Sequence, residues 1–245
     1  MPKDLFSGHA DAYAKYRPAY PKAMFDFIFN QVNRFDLAWD CGTGNGQVAS
    51  VVAERFNKVH ATDISARQIA NAVHRKNIIY EVSSAEKSPF ADNTFDLITA
   101  GQAIHWFDQD KFYIECKRVA KPKAILACFG YKPVRCNSVI DKILDDFYFN
   151  VIYPYWETER KMVEDEYASL PFPFEMALDA SFKIELIWTL HEFEGYINTW
   201  SAVQQYIHVH QTNPVDALIN QVKPLWKEER LSVYFPVFLR LGRVN

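Results

Sequence analysis

Hydrophobic and polar positions follow two regimes along this chain, and the change comes near Tyr131. Before it, short apolar runs alternate with helix-like runs. Phe35–Cys41, Lys58–Asp63, Ile78–Val82, Phe95–Ala100 and Ala124–Phe129 read as strands, with Gln47–Arg55 and Ala66–His74 as helices between them. Ser65 stands where a helix N-cap is needed, directly ahead of the second helical run. Short strands separated by helices predict a parallel sheet, because parallel neighbours need crossover connections.

After Tyr131 the pattern loosens. Val139, Ile140, Ile143, Leu144 and Phe147 recur at helical spacing, Pro171 and Pro173 break the chain, Phe182–Leu190 reads as a strand and Thr199–His208 as a helix. Ser232–Arg243 reads as a closing strand, in which Pro236 predicts an edge position, a bulge or an offset ladder. No internal repeat or low-complexity tract interrupts the 245 residues, a length that fits one large α/β domain or one domain carrying a sizeable insertion.

The end of the first strand carries the candidate chemistry: Asp40-Cys41-Gly42-Thr43-Gly44-Asn45-Gly46-Gln47 turns from strand to helix through three glycines. A phosphate-binding P-loop needs Lys-Ser/Thr after its last glycine, and Gln47-Val48 stands there instead. A dinucleotide loop prefers the spacing GxGxxG, and an acid two residues ahead of it sits awkwardly beside a pyrophosphate. Asp40 suits a cofactor that presents a cationic amino group and no phosphates. S-adenosylmethionine is such a cofactor: its ammonium can pair with Asp40 while loop N–H groups meet its carboxylate. Asp63 ends the second strand 17 positions past Gly46 and is placed to accept from both ribose hydroxyls. That role does not separate S-adenosylmethionine from NAD, and capping the next helix is its bland alternative.

Composition then narrows the class. Hydrophobic residues make up 49% and charged residues 23%, which supports a real core, and a net charge of −3 gives no global field for nucleic acid or anionic membrane. Cys41, Cys116, Cys128 and Cys136 form no CxxC pair, so neither a zinc site nor a disulfide scaffold is expected. His191, His208 and His210 have no spacing that suggests a shared metal. The opening MPKDLFSGHADAY has no signal-peptide core, and no run approaches ~18 apolar residues, so a reduced cytoplasmic enzyme without a membrane span is expected. Tyr148, Tyr153, Tyr155, Trp156, Tyr167, Phe172 and Phe174 crowd one segment, as the core of a small cap or a lid over an organic ligand.

The motifs together resemble class I S-adenosylmethionine-dependent methyltransferases. Asp40 to Gly46, Ala61-Thr62-Asp63-Ile64-Ser65 and Ser84-Ala85-Glu86-Lys87-Ser88-Pro89-Phe90 are similar to that family's successive cofactor motifs. Phe95 to Asp108, the opening Tyr16-Arg17-Pro18 and the closing strand are similar to its small-molecule, trans-aconitate methyltransferase-like branch. The resemblance implies a Rossmann-like, mostly parallel seven-stranded sheet with helices on both faces, an antiparallel last strand and a helical cap inserted in the C-terminal half. Within one domain it implies a helical segment over the cofactor at 1–34, a cofactor core at 35–130, a cap and substrate region at 131–230 and a final strand at 231–245.

By the same resemblance, Asp40, Gly42, Thr43 and Gly44 hold the methionine end, and Gly46 permits close helix packing. Asp63 binds the ribose, Ile64 lies on the adenine, Ser84, Ala85 and Glu86 border its ring, and Gln102 borders the methionine part. Ser84 departs from relatives that carry an acid there. Past the fourth strand, His105 is the candidate base, with packing or positioning as its alternative, and Trp106 is a candidate wall of the transfer cavity. Tyr16 and Arg17 are candidate substrate contacts. The expected reaction is methyl transfer to a small organic acceptor, a carboxylate or a hydroxyl, leaving S-adenosylhomocysteine; an NAD oxidoreductase and a non-catalytic binder of S-adenosylmethionine are the rivals. Nothing in the pattern addresses oligomeric state.

Overall fold

The computed structural model describes Tyr16 and residues 18–244. Arg17 and residues 1–15 of the 1–34 segment therefore lie outside the described residues. Seven strands form one sheet: β1 Leu37–Cys41, β2 Lys58–Asp63, β3 Ile78–Val82, β4 Phe95–Gly101, β5 Ala120–Tyr131, β6 Glu175–Trp188 and β7 Leu231–Val244. Their spatial order is β3-β2-β1-β4-β5-β7-β6. β1 to β5 pair in parallel, and β7 runs antiparallel to both β5 and β6. The expected architecture holds in strand number, direction and the antiparallel last strand.

Strand alternation fills both faces. Ala38, Leu97, Ile125, Ala127 and Phe129 pack into one apolar cluster, and Trp39, Cys41, Ile98, Leu126 and Cys128 into the other. Helix α1 (Lys22–Phe29) and helix α2 (Gln47–Val52) cover the first face through Met24, Phe25, Ile28, Val48 and Val52. After the short α3 (Ala66–Ala70), α4 (Gln109–Val119) covers the second through Phe112, Cys116 and Val119. Ser65 caps α3 as expected, accepting from Gln68 N, and Asp108 caps α4 by accepting from Lys111 N, whereas α1 and α2 start on Pro21 and Gly46 without a side-chain cap.

The region after Tyr131 is more broken than the pattern suggests. Helix α5 (Ser138–Asp146) starts on Asn137, whose side chain accepts from Val139 and Ile140 N, and runs into a π-helical turn over Phe147–Ile152. Short turns at Tyr153–Tyr155 and Thr158–Arg160 lead into α6 (Lys161–Glu164). Beyond β6 come α7 (Leu190–Asn198), α8 (Ser201–His210) and α9 (Val215–Val222).

Three expectations change here. The sixth strand begins earlier and stops at Trp188, because Thr189 and Glu192 form a reciprocal capping box that starts α7 at Leu190. The helices after β1 and β2 end at Val52 and Ala70, short of the predicted Arg55 and His74. Pro236 is not on an edge strand, since β7 lies between two neighbours. It pairs with Lys183 of β6, while β5 ends at Tyr131 and the Pro236 carbonyl accepts from Lys132 N at 2.9 Å. The missing amide hydrogen thus faces the side where the β5 ladder stops.

Candidate functional site

Between β1 and β4 the strand order reverses, so the loops leaving their carboxyl ends diverge and open a crevice, the usual ligand site of such sheets. The glycine turn leaves β1 at this point. Gly42, Gly44 and Gly46 have φ of +68°, +56° and +82°, where a side chain strains the backbone. A Cβ on Gly42 would come within 2.6 Å of Ala103 Cβ, and one on Gly46 would fall on the Tyr80 hydroxyl. At Gly44 the space is open, with no heavy atom within 4 Å. The main chain is therefore bare on one side of the turn and closely packed on the other.

Asp40 lies beneath this turn at 1% exposure. One carboxylate oxygen accepts from Thr99 Oγ1 at 2.6 Å, the other from Thr43 Oγ1 at 2.5 Å and Ala49 N at 3.1 Å. Thr99 faces Asp40 across the β1–β4 ladder, so strand register sets this contact. Burial nevertheless outweighs these bonds and raises the Asp40 pKa from 3.8 to about 6. The geometry makes Asp40 the knot that ties β1, β4, the turn and the start of α2.

Asp63 closes β2 on the other side of the turn. Its Oδ2 accepts from Gly44 N and its Oδ1 from Ser65 N, both at 2.9 Å. Beside it Ile64 is 46% exposed, an apolar face with no core to cover it. In the next loop Ser84 Oγ donates to Glu86 Oε2 at 2.5 Å and accepts from Glu86 N, while Glu86 Oε1 accepts from Asp108 N. Ala85 is buried between them. Gln102 has a φ of +53° and stitches β4 to β5: its Oε1 accepts from Tyr131 N at 2.9 Å and its own N donates to Phe129 O at 2.7 Å.

His105 sits in a 3₁₀ turn, Ile104–Trp106, at 3% exposure. Its Nδ1 is 2.9 Å from the hydroxyl of Tyr167, which the cap lowers onto it. Burial, helped by the nearby Arg160 charge, lowers the His105 pKa from 6.5 to about 3. The imidazole is therefore neutral at any ordinary pH and a poor proton acceptor. Trp106 stacks beside it, ring centroids 4.8 Å apart. The ring of Tyr16 lies against Gly195 of α7, where any Cβ would overlap it.

Asp40, the glycines, Asp63 and Ile64 thus surround one turn, with Ser84, Ala85 and Glu86 at the next loop and Gln102 and His105 at the end of β4. Sequence reasoning missed Thr99, Tyr80, Tyr167 and Arg160. Thr99 was legible from strand register; the other three act across distances that no local pattern encodes. Among the described residues no group of His, Cys, Asp or Glu is placed to hold a metal, and no helix is long and apolar enough to cross a membrane.

Three comparisons bear on this geometry. A methyltransferase domain family matches residues 39–128, the stretch from β1 into β5. A solved structure from Anaeromyxobacter dehalogenans, provisionally assigned as a type II methyltransferase, is 35% identical, with a TM-score of 0.87 over 94% of this chain and 98% of that one. A provisionally assigned methyltransferase of Dictyostelium discoideum is 28% identical over 98% of this chain and 95% of its own length. A malonyl-[acyl-carrier protein] O-methyltransferase of a Marinomonas species is 31% identical over 49% of this chain and 46% of its own length.

Proposed function

The chain belongs to the class I S-adenosylmethionine-dependent methyltransferases, and from that premise we propose that it methylates a small organic acceptor at a carboxylate oxygen. The glycine turn carries the cofactor side of this reading. Its bare main chain at Gly44, the acid Asp63 and the exposed Ile64 fit the carboxylate, ribose and adenine of S-adenosylmethionine in that order. Gly42 and Thr43 complete the methionine end, and Gly46 lets Tyr80 close over the turn. Ser84, Ala85 and Glu86 border the adenine, and Gln102 fixes the floor beneath the methyl-bearing end. Asp40 acts through Thr43 and Ala49, holding the turn in shape.

The observation that favours a carboxylate over a hydroxyl is His105. An alcohol needs a base at the transfer point, whereas a carboxylate is already ionised near neutral pH. His105 is buried, bonded to Tyr167 and held neutral with a pKa of about 3, so it orients the cap and leaves basicity unused. When bound, the cofactor supplies an electrophilic methyl on a sulfonium; a carboxylate taking it becomes an ester and leaves a neutral thioether, with no proton to move. Trp106 and Tyr16 line the route by which an acceptor reaches that point.

Calorimetric titration with S-adenosylmethionine, S-adenosylhomocysteine and NADH tests the cofactor assignment. Binding of the first two without NADH is expected. Saturating NADH binding with neither of the others would overturn the assigned roles. Turnover of a phenol faster than of any carboxylic acid, lost with His105→Gln, would overturn the acceptor reading.

A further inference from the structure

Of the ten described arginines, five are answered by an acid. Arg75, Arg118, Arg135, Arg230 and Arg240 each meet a carboxylate among the described residues. Arg160 does not. Its guanidinium lies over the ring of Trp156, 5.1 Å from the centroid, and its Nη1 is shut off from water with no hydrogen-bond partner. The indole Nε1 of Trp156 is likewise buried and unpartnered. Two donors, one of them charged, therefore sit together with nothing to accept from them. Such orphans are rare in native structures and call for an acceptor that the protein itself does not provide.

The setting gives the acceptor a character. The turn that carries Arg160, Thr158–Arg160, packs against the turn Ile104–Trp106 that leaves β4 beside the crevice. Trp156 is flanked by Tyr148 at 5.6 Å and Trp200 at 5.9 Å between ring centroids, so the pair of donors opens from an aromatic wall. The nearby carboxylate of Glu164 is already used, accepting from the Tyr148 hydroxyl at 2.8 Å. Arg160 presents its charge to His105, Tyr148 and Tyr167, none of which carries a compensating negative charge. A cationic acceptor is repelled here. An anion with a planar, two-oxygen head matches the guanidinium fork, and the indole N–H offers a third donor.

We propose that Arg160 and Trp156 form the recognition site for the carboxylate of an aryl- or alkyl-carboxylic acid acceptor, with the aromatic wall receiving its apolar body. The proposal rests on the reading of the chain as a small-acceptor methyltransferase and names where the cap recognises the acceptor. Because Arg160 Nη1 and the indole N–H are shut off from water in half-buried side chains, the cap must shift to admit the acid and close over it. Methylation removes the acid's charge, so the ester holds Arg160 less well than the acid it came from, which favours product release.

The test is calorimetry on the full chain saturated with S-adenosylhomocysteine, titrated with benzoate, phenylacetate and 3-phenylpropionate and with the three matching amides. At least one acid is expected to bind about tenfold or more tightly than its amide. R160Q should bring that acid down to the affinity of its amide, with S-adenosylhomocysteine affinity unchanged. R160K keeps the charge without the fork and should fall between, and W156F should narrow the preference by a smaller factor; these two carry the test if R160Q does not fold. Equal binding or no binding of all three acid–amide pairs, or a preference that survives R160Q or is untouched by both R160K and W156F, would overturn the proposal. Failure of S-adenosylhomocysteine to bind at all is seen before any acid is added, and it removes the cofactor premise instead.

Discussion

The glycine turn buries a charge and the cap half-buries one, and they treat it in opposite ways. Beneath the turn, Asp40 is met by Thr43, Thr99 and Ala49 N from three different elements. In the cap, Arg160 lies over an aromatic face and its buried Nη1 meets no acceptor. A satisfied buried charge fixes a shape, because moving any element strands a donor. An unsatisfied one marks a place where binding has something to gain. The contrast separates a region built to hold one cofactor from a region whose chemistry is completed only by what enters it, and the family match over 39–128 falls on the first.

The sharpest way to test that contrast is through pH, since the turn buries Asp40 and the cap, through Tyr167, closes over His105. His105 protonates at about 3 in the fold against 6.5 ordinarily, so the unfolded chain binds that proton more tightly. Its contribution to stability is complete above about pH 6.5 and is lost as pH falls toward 3, by an order of 4–5 kcal/mol. Asp40 works the other way. Its pKa rises from 3.8 to about 6, so stability is greatest below about pH 4 and falls by about 3 kcal/mol as pH rises to 6. In urea unfolding across pH 4–7, His105→Gln should blunt the acid-side loss and Asp40→Asn the opposing one. Parallel curves for wild type and His105→Gln would remove the depressed histidine.

Gly46→Val probes the closed side of the turn. A β-branched residue at φ +82° costs roughly 1–2 kcal/mol of backbone strain, and the overlap with Tyr80 adds roughly 1–3 more. The variant should unfold at lower urea and lose cofactor binding together. A valine variant of wild-type stability would mean the turn is looser than its φ values indicate.

The turn was the legible part. Its glycines, the two acids and the exposed Ile64 lie within one strand–turn–helix unit and the next strand end, so spacing alone relates them. Ser65 was readable for the same reason, as the cap of the helix it precedes. Even there spacing proposed an ammonium partner for Asp40, and the fold reveals that both its oxygens are occupied from below. The cap resisted because its contacts are distant: His105 meets Tyr167 62 positions away, and no periodicity predicts that the run of short turns from Phe147 to Glu164 brings them together. The Thr189–Glu192 capping box was present in the sequence, and it would have separated α7 from β6. Pro236 left an edge, a bulge or an offset ladder open, and only the fold shows β7 between two neighbours with the β5 ladder ending beside the proline.

Asp63→Ala sharpens the cofactor side. Removing the carboxylate frees Gly44 N and takes away the proposed ribose acceptor, so S-adenosylmethionine affinity should fall by about 1–3 kcal/mol. Thermal stability should change less than affinity, because the Gly44–Asp63 contact is only part-buried and water can replace the lost carboxylate. Unchanged affinity by calorimetry would sink the ribose role and leave Asp63 as a tether for the turn.

The smallest expected effect lies in the contact that joins the two regions. Tyr167→Phe removes the hydroxyl from His105 while keeping the ring that stands edge-on to Phe238, so stability should drop by only about 1 kcal/mol. If His105 orients the cap, this variant should raise KM for the acceptor several-fold, leave S-adenosylhomocysteine affinity alone and keep kcat within about tenfold. A general base would behave otherwise. His105→Gln would then cost about a hundredfold or more in kcat, and the rate would carry an acid limb at the histidine's own pKa. With that pKa near 3 and a carboxylate as nucleophile, the rate between pH 5 and 8 should show no limb from His105. The cap would then be shaping access to a reaction whose reactivity comes wholly from the cofactor and the ionised acceptor.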